Sequence, residues 1–346
     1  MVTAIGFGGM TAAAANDDPA LVEAAVAEGS VTIYHATDAE FSQPLFDAFT
    51  AKYGIAVEGM DLGVSTTYNR IISEAAAGQV TADIAWSSAM DTMMSLAANG
   101  YAEQYVLSDK AAIPEWAIYE DMLFGTTVEP FGVLYNTNQI AEGELPGSYA
   151  DLITYLARDE LNGKVATYDP ERAGAALLAF AYSSEHRDDF WSLAETLGAA
   201  DVKLYSGSGS VREAVLSGEN ALAVYVIGSY AIAWAEESSQ LGVHFTEDFT
   251  PAFSRLALIT EGAPHPNAAK LFMEFMLSAE GQGVLSASGL PSIRADVTTD
   301  GLSYAELNER VGGNLSPIPL DEWLLALTET ANRIEFLDQW NSAIGH

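Results

Sequence analysis

The stretch Val31-Thr-Ile-Tyr-His-Ala-Thr-Asp38 decides the fold. Val31 to Tyr34 is a short β-rich run that gives way to Thr37 and Asp38, residue types that suit a helix start. Phe41, Leu45, Phe46 and Phe49 then recur at helical spacing. Ile55 to Val57 predicts a second strand, Tyr68 to Ala77 a second helix and Asp83 to Trp86 a third strand. A third helix runs from Met90 to Asn99 and is stopped by Gly100. This alternation predicts βαβ units and a parallel sheet. Right-handed crossovers then place the carboxyl ends of the strands on one edge.

The alternation continues outward with different residues. Strands are predicted at Gly132 to Tyr135, Lys164 to Thr167, Val202 to Tyr205, Ala221 to Tyr225 and Arg255 to Thr260. Helices are predicted at Glu171 to Tyr182, Asp188 to Leu197, Val211 to Ser217, Ser229 to Glu237 and Asn267 to Leu277. Asp321 to Trp340 predicts one or two more. The 346 residues suggest about two domains. No low-complexity linker separates them, so the α/β units are expected to be joined by more than one crossing. The boundaries fall near Val128-Glu129-Pro130 and Thr250-Pro251, where a proline precedes each strand-like run.

Lys and Arg number 14 against 48 Asp and Glu, a net charge of −34 spread without a run of five like charges. That balance excludes nucleic acid and anionic bilayer surfaces as partners, because both need clustered basic residues. It suits high ionic strength, where screening weakens self-repulsion. Cysteine is absent, which removes disulfides, thiolate metal sites and thiol nucleophiles together. The first fifteen residues are uncharged and small and end in Ala13-Ala14-Ala15, like the apolar end and cleavage site of a secretory signal. Export is therefore expected; the alternative is an Ala-rich lead without structure. The longest later apolar stretch, Ala221 to Ala235, is shorter than the ~20 residues a membrane span needs.

No P-loop, dinucleotide fingerprint, zinc-protease helix or nucleophile elbow is present, and the five histidines show no ligand-pair spacing. The informative residues follow the strands. In an open α/β sheet ligands bind outside the carboxyl ends of the strands, and each loop there opens a helix with unpaired amides. One wall of a cleft is thus predicted from Thr37, Asp38, Ser65, Thr66, Ser87 and Ser88. The other is predicted from Tyr168, Asp169, Ser208, Gly209 and Tyr230. Ordinary helix capping would account for any one of these loops; six of them favour a ligand. Arg70 and Glu74 are spaced for a surface ion pair, and Arg255 for either a hinge pair or a ligand contact. Trp86 is expected in the core or cleft wall, and Met90, Met93 and Met94, spaced along one helix face, in the core.

Four motifs read together carry a family resemblance. They are Val31 to Asp38, Tyr68 to Gly78, Ala82-Asp-Ile-Ala-Trp-Ser-Ser88 and Pro264-His-Pro-Asn-Ala-Ala-Lys-Leu-Phe-Met-Glu-Phe275, supported by Gly125 to Asn136. Over residues 28 to 345 the chain resembles the extracellular solute-binding proteins of ABC importers, in the cluster of ferric-iron, hexose-phosphate and aminoethylphosphonate binders. The resemblance implies a bilobal type 2 periplasmic-binding-protein fold, with two α/β lobes joined by two strand crossovers. Lobe 1 would comprise residues 28–128 plus 256–346 and lobe 2 residues 129–255, after a lead of residues 1–27. Hinges are expected near 128–135 and 250–256. It further implies a periplasmic or extracellular, non-catalytic protein, monomeric by default, that delivers a small solute to a membrane permease and its ATPase.

Ferric binders of this cluster carry adjacent tyrosines after the strand matching Ala221 to Tyr225. This chain has Tyr225-Val-Ile-Gly-Ser-Tyr230 instead. The neutral Ser, Thr and Gly loops favour an anionic or oxygen-rich solute, phosphate- or phosphonate-bearing, with no cofactor. Fe3+ as the transported ligand is the alternative, held by Asp38, Tyr168, Tyr225 and Tyr230. A transferase of the hydroxymethylbilane deaminase type shares the bilobal architecture but needs a cofactor-attachment cysteine. A signalling receptor domain would need a membrane span.

Overall fold

The computed structural model describes residues 18–298 and 302–345. The signal-like residues 1–17 lie outside the described residues.

The strands are β1 (Ser30–His35), β2 (Ala56–Asp61), β3 (Ile84–Ser87), β4 (Ile118–Tyr119), β5 (Leu123–Gly125) and β6 (Glu129–Asn136). They continue as β7 (Val165–Tyr168), β8 (Lys203–Tyr205), β9 (Leu222–Ile227), β10 (Leu241–His244), β11 (Thr250–Phe253), β12 (Leu256–Ile259) and β13 (Leu315–Pro317). One sheet has the order β2-β1-β3-β12-β5-β4, the other β13-β11-β6-β9-β7-β8 with β10 added against β6. β1 pairs in parallel with β2 and β3, and β7 with β8 and β9, as βαβ units require. This is the bilobal type 2 periplasmic-binding architecture.

Antiparallel strands bring the crossovers to the right edge. β12 runs against β3 with Leu256 opposite Ser87, so Arg255 lies beside the carboxyl end of β3. β5 runs against β12 with Gly125 opposite Leu256, so the chain leaves lobe 1 at the same edge. In the second sheet β11 runs against β6 with Phe253 opposite Glu129, and β6 against β9 with Phe131 opposite Ile227. Both crossovers, 126–128 and 254–255, therefore sit where the carboxyl edges of the two sheets meet.

The helices bury the apolar stripes that the spacing predicts. Leu45, Phe46 and Phe49 are buried on the helix Ala39–Tyr53, and Met90, Met93 and Met94 on Met90–Ala98. Trp86 is fully buried, and its indole N–H donates to Thr126 Oγ1 at 2.9 Å.

The C-terminal segment departs from the predicted division. Residues 256–346 were expected in lobe 1, but β13 pairs with β11 in the second sheet. Leu320 N–H then donates to the Trp116 carbonyl of lobe 1 at 2.8 Å, and Glu322–Leu327 packs on Met90–Ala98. Thr330–Ile344 returns to lobe 2 against Phe190–Ala199, where Trp340 stacks on Phe180 at 4.4 Å. Arg333 pairs with the buried carboxylate of Asp91. The physical reason is the apolar face of Phe336, Trp340 and Ile344, which finds its partners on lobe 2. Among the described residues no helix is long and apolar enough to cross a membrane.

Trp340 is 1% exposed, so Trp340→Ala leaves a cavity and is expected to destabilise the protein by about 3–5 kcal/mol in urea unfolding. Val106→Ala, at a position 62% exposed, should change stability by less than ~0.5 kcal/mol.

Candidate functional site

The floor of the interlobe cleft is built around Glu129 and Arg255, one on each crossover and both buried. Arg255 Nε donates to Glu129 Oε1 at 2.8 Å and Nη2 to Oε2 at 3.3 Å, a forked pairing. Glu129 also accepts from Thr127 Oγ1 at 3.0 Å and Ser229 Oγ at 2.7 Å. Burial alone would lower the Arg255 pKa. The Glu129 carboxylate and the Tyr230 hydroxyl outweigh it and hold the guanidinium above its ordinary value, a permanent cation.

Arg255 also ties the walls to the floor. Its Nη1 reaches Thr37 Oγ1 of lobe 1 at 3.3 Å and its Nη2 reaches Tyr230 Oη of lobe 2 at 3.2 Å. Tyr230 then spans the cleft, its hydroxyl donating to Asp38 Oδ2 at 3.4 Å and its ring stacking on Phe41 at 5.7 Å. Gly228 makes this placement possible. A Cβ there would lie 2.5 Å from the Pro130 carbonyl oxygen, so only glycine lets the helix Gly228–Glu237 start against β6.

Above this floor lies a cleft of about 390 Å³. Lobe 1 contributes Asp38, Glu40, Phe41 and Ser288; lobe 2 contributes Ser208, Gly209, Arg212, Tyr230, Trp234 and Glu237. Ser208 and Gly209 open the helix Ser208–Leu216, whose N-terminus carries no side-chain cap. A Cβ on Gly207 or Gly209 would meet open space, so a ligand can approach that backbone closely. Arg212 Nη2 pairs with Glu237 at 2.9 Å, while its Nε is buried and has no hydrogen-bond partner among the described residues.

Asp18, Ser148, Ser278, Ser303 and Asp321 cap their helices with side-chain bonds, whereas Phe190–Ala199, Pro266–Leu277 and Thr330–Ile344 carry none at the N-cap. The six helices after β1, β2, β3, β7, β8 and β9 have no side-chain bond at the N-cap. At Asp38 the carboxylate accepts from Tyr230 instead.

Of the eleven residues predicted for the walls, Asp38, Ser208, Gly209 and Tyr230 line the cleft. Thr37 lies two bonds behind, through Arg255 to Tyr230, and Tyr168 one bond behind through Ser208 Oγ at 2.9 Å. Ser65 and Thr66 are exposed on the first turn of Val64–Ala77 and do not line it. Ser87 is buried and accepts from Ala89 N–H at 3.2 Å, with half-buried Ser88 beside it. Asp169 closes its own turn by accepting from Glu171 N–H at 3.0 Å. Ser87 and Asp169 thus serve local turns.

The proposed iron set is not brought together. Tyr225 lies in the interior of lobe 2, its hydroxyl 2.8 Å from both Tyr149 Oη and Ser183 Oγ. Its φ of 56° falls where the β6–β9 register shifts, and this left-handed residue turns the ring inward. Burial pushes the phenols of Tyr168 and Tyr225 up to about 12 and raises Tyr230, where Arg255 offsets part of the effect.

Sequence reading missed Glu40, Phe41, Arg212, Trp234 and Glu237. Arg212 was recoverable, four residues past Ser208 and so one helical turn along the same face.

Two α/β lobes closing on a polar cleft at their crossovers define a hinged solute-binding protein. Residues 44–307 match the family of bacterial extracellular solute-binding proteins, and the chain belongs to that family. It acts outside the cytoplasmic membrane. The substrate-binding protein of an ABC transporter from Agrobacterium tumefaciens is 30% identical, with 91% of this chain and 94% of that one covered and a TM-score of 0.80. A Salmonella typhimurium protein assigned by name to periplasmic 2-aminoethylphosphonate binding is 24% identical over 294 residues, 80% of this chain and 83% of its own. Iron-bound HitA from Pseudomonas aeruginosa shares the fold at 20% identity and a TM-score of 0.72, with 91% and 99% covered.

Removing the Glu129 carboxylate leaves a buried guanidinium without its counter-charge. Glu129→Ala is expected to cost about 3–5 kcal/mol, read as a lowered urea midpoint. An unchanged midpoint would show that the pair is not the brace of the crossovers.

Proposed function

We propose that the chain is the substrate-binding component of an ABC import system, without catalysis of its own, a resident cofactor or a need to oligomerise. It traps a small oxygen-rich anion bearing a phosphate or phosphonate group and hands it to a membrane permease and its ATPase. The observation that carries this reading is the uncapped, glycine-flanked N-terminus of Ser208–Leu216 on the cleft, with Arg212 one turn along. Free first-turn amides and the positive end of the helix dipole favour an anion there. The orphaned Nε of Arg212 gives such an anion a charge-assisted partner. The 2-aminoethylphosphonate assignment of the Salmonella typhimurium relative agrees with this chemistry.

The iron reading retains one favourable observation, the 3.4 Å approach of Tyr230 to Asp38 across the cleft. Against it, the Arg255 guanidinium lies 3.2 Å from the same hydroxyl, where it opposes a trivalent cation.

Stripped protein is expected to bind an alkylphosphonate without added metal by calorimetry, and Arg212→Ala to weaken that binding about tenfold or more. Small-angle scattering should show a smaller radius of gyration on saturation, because a ligand touching both lobes favours closure. Titration with ferric citrate should give no tyrosinate-to-iron band. A band that disappears in Tyr230→Phe would replace this reading with the iron one.

A further inference from the structure

The C-terminal segment joins the lobes again beside the two crossovers, and it does so with an ion pair as well as apolar contacts. Ile318 N–H donates to the Ala252 carbonyl of lobe 2 at 2.8 Å, and two residues later Leu320 N–H donates to the Trp116 carbonyl of lobe 1 at 2.8 Å. Leu324 and Leu327 are then buried in one apolar cluster with Met90, Met93 and Met94 of lobe 1. Their helix ends at Thr328, and the next, Thr330–Ile344, lies on lobe 2. There Phe336, Trp340 and Ile344 are buried, and Asn341 Nδ2 donates to Glu171 Oε1 at 2.9 Å. From this lobe 2 helix Arg333 reaches back to Asp91, in the first turn of Met90–Ala98.

The Asp91 side chain is 7% exposed and that of Arg333 34%. A carboxylate withdrawn from water depends on its counter-charge. Here the carboxylate belongs to lobe 1 and the cation to a helix packed on lobe 2. Met90, next to Asp91, accepts from the Ser254 N–H of the second crossover through its Sδ at 3.4 Å, so the pair lies close to the hinge. We infer that residues 318–344 form an interlobe strap, and that the Asp91–Arg333 pair is a latch which populates the closed arrangement of the lobes before any solute enters. Opening the cleft separates the pair and bends the strap at Thr328 and Glu329, between the helix held by lobe 1 and the helix held by lobe 2. All of these contacts are made within the chain, so the bias needs no solute. A solute that touches both lobes adds to it.

The chain has no cysteine, so two introduced thiols carry two spin labels and nothing else does. Gln43→Cys on the lobe 1 helix Ala39–Tyr53 and Glu236→Cys on the lobe 2 helix Gly228–Glu237 are exposed positions beside the cleft. Electron–electron double resonance on the solute-stripped, full-length protein then reads a short, closed distance and a long, open one. The expected result is that both are populated, and that Arg333→Gln lowers the closed-to-open ratio about three- to tenfold, the range of a partly buried ion pair. Asp91→Asn should do the same, and Arg333→Lys, which keeps the cation, should retain most of the closed population. Arg158→Gln breaks an exposed pair within lobe 2 and should change nothing. A shift in either Arg333→Gln or Asp91→Asn supports the latch, so a folding failure in one does not decide it. A wild type that shows the long distance alone overturns it. So does an unchanged ratio in a variant whose urea midpoint shows it to be folded. None of these outcomes depends on which solute the cleft takes, so the phosphate or phosphonate reading stands or falls separately.

Discussion

The Glu129 carboxylate and the Arg255 guanidinium are withdrawn from water where the two strand crossovers meet. A buried pair of this kind gains little over a well-packed apolar pair, because desolvation consumes most of the attraction. What it supplies is geometry. The forked contact fixes the two crossovers against each other, and its leftover hydrogen-bonding capacity is directed outward, to Thr37 on one lobe and to Ser229 and Tyr230 on the other. The floor of the cleft and the anchor of its walls are therefore one hydrogen-bonded unit.

The second constraint is the treatment of helix N-termini. Some packing helices receive an acceptor for their first turn from Asp or Ser, as at Asp18, Ser278 and Asp321, and others, such as Phe190–Ala199 and Thr330–Ile344, do not. Where a helix follows a strand ending at the cleft, no N-cap side chain does so. Leaving amides uncapped costs each helix about 1 kcal/mol of potential stability. A solute that accepts from those amides recovers it only when bound, so the same backbone groups that weaken the empty cleft favour its occupied form. Gly228, Gly207 and Gly209 belong to this arrangement, one admitting the close approach of helix and strand and two leaving the backbone open to a ligand.

The lobe architecture was legible because it rests on local pattern. Phe41, Leu45, Phe46 and Phe49 mark a helix whatever surrounds them, and β-rich runs before polar loops mark the strand ends. The short strands β4, β5 and β13 were not legible, since two or three residues carry no period. The C-terminal helix was visible as a helix, but its lobe depended on which face Phe336 and Trp340 would find, a tertiary question. Of the residues that strand-end reasoning names, the cleft brings together Asp38, Ser208, Gly209 and Tyr230. Ser65, Thr66 and Asp169 satisfy the same rule, yet they do not line the cleft. Arg255 itself could be read as hinge or ligand contact, and only the position of Glu129 on the facing crossover made it a hinge. Tyr225 went astray because a single left-handed residue reverses the face a strand side chain takes.

On the reading proposed above, this cleft carries a small organic anion between its lobes rather than a metal ion. Native mass spectrometry of the protein taken directly from its source, without exposure to chelators or phosphate buffers, tests it most directly. The expected result is a 1:1 complex whose added mass belongs to one phosphorus-containing organic molecule, released on denaturation and free of iron. An added mass of one iron atom, with or without a small bound anion, would contradict it.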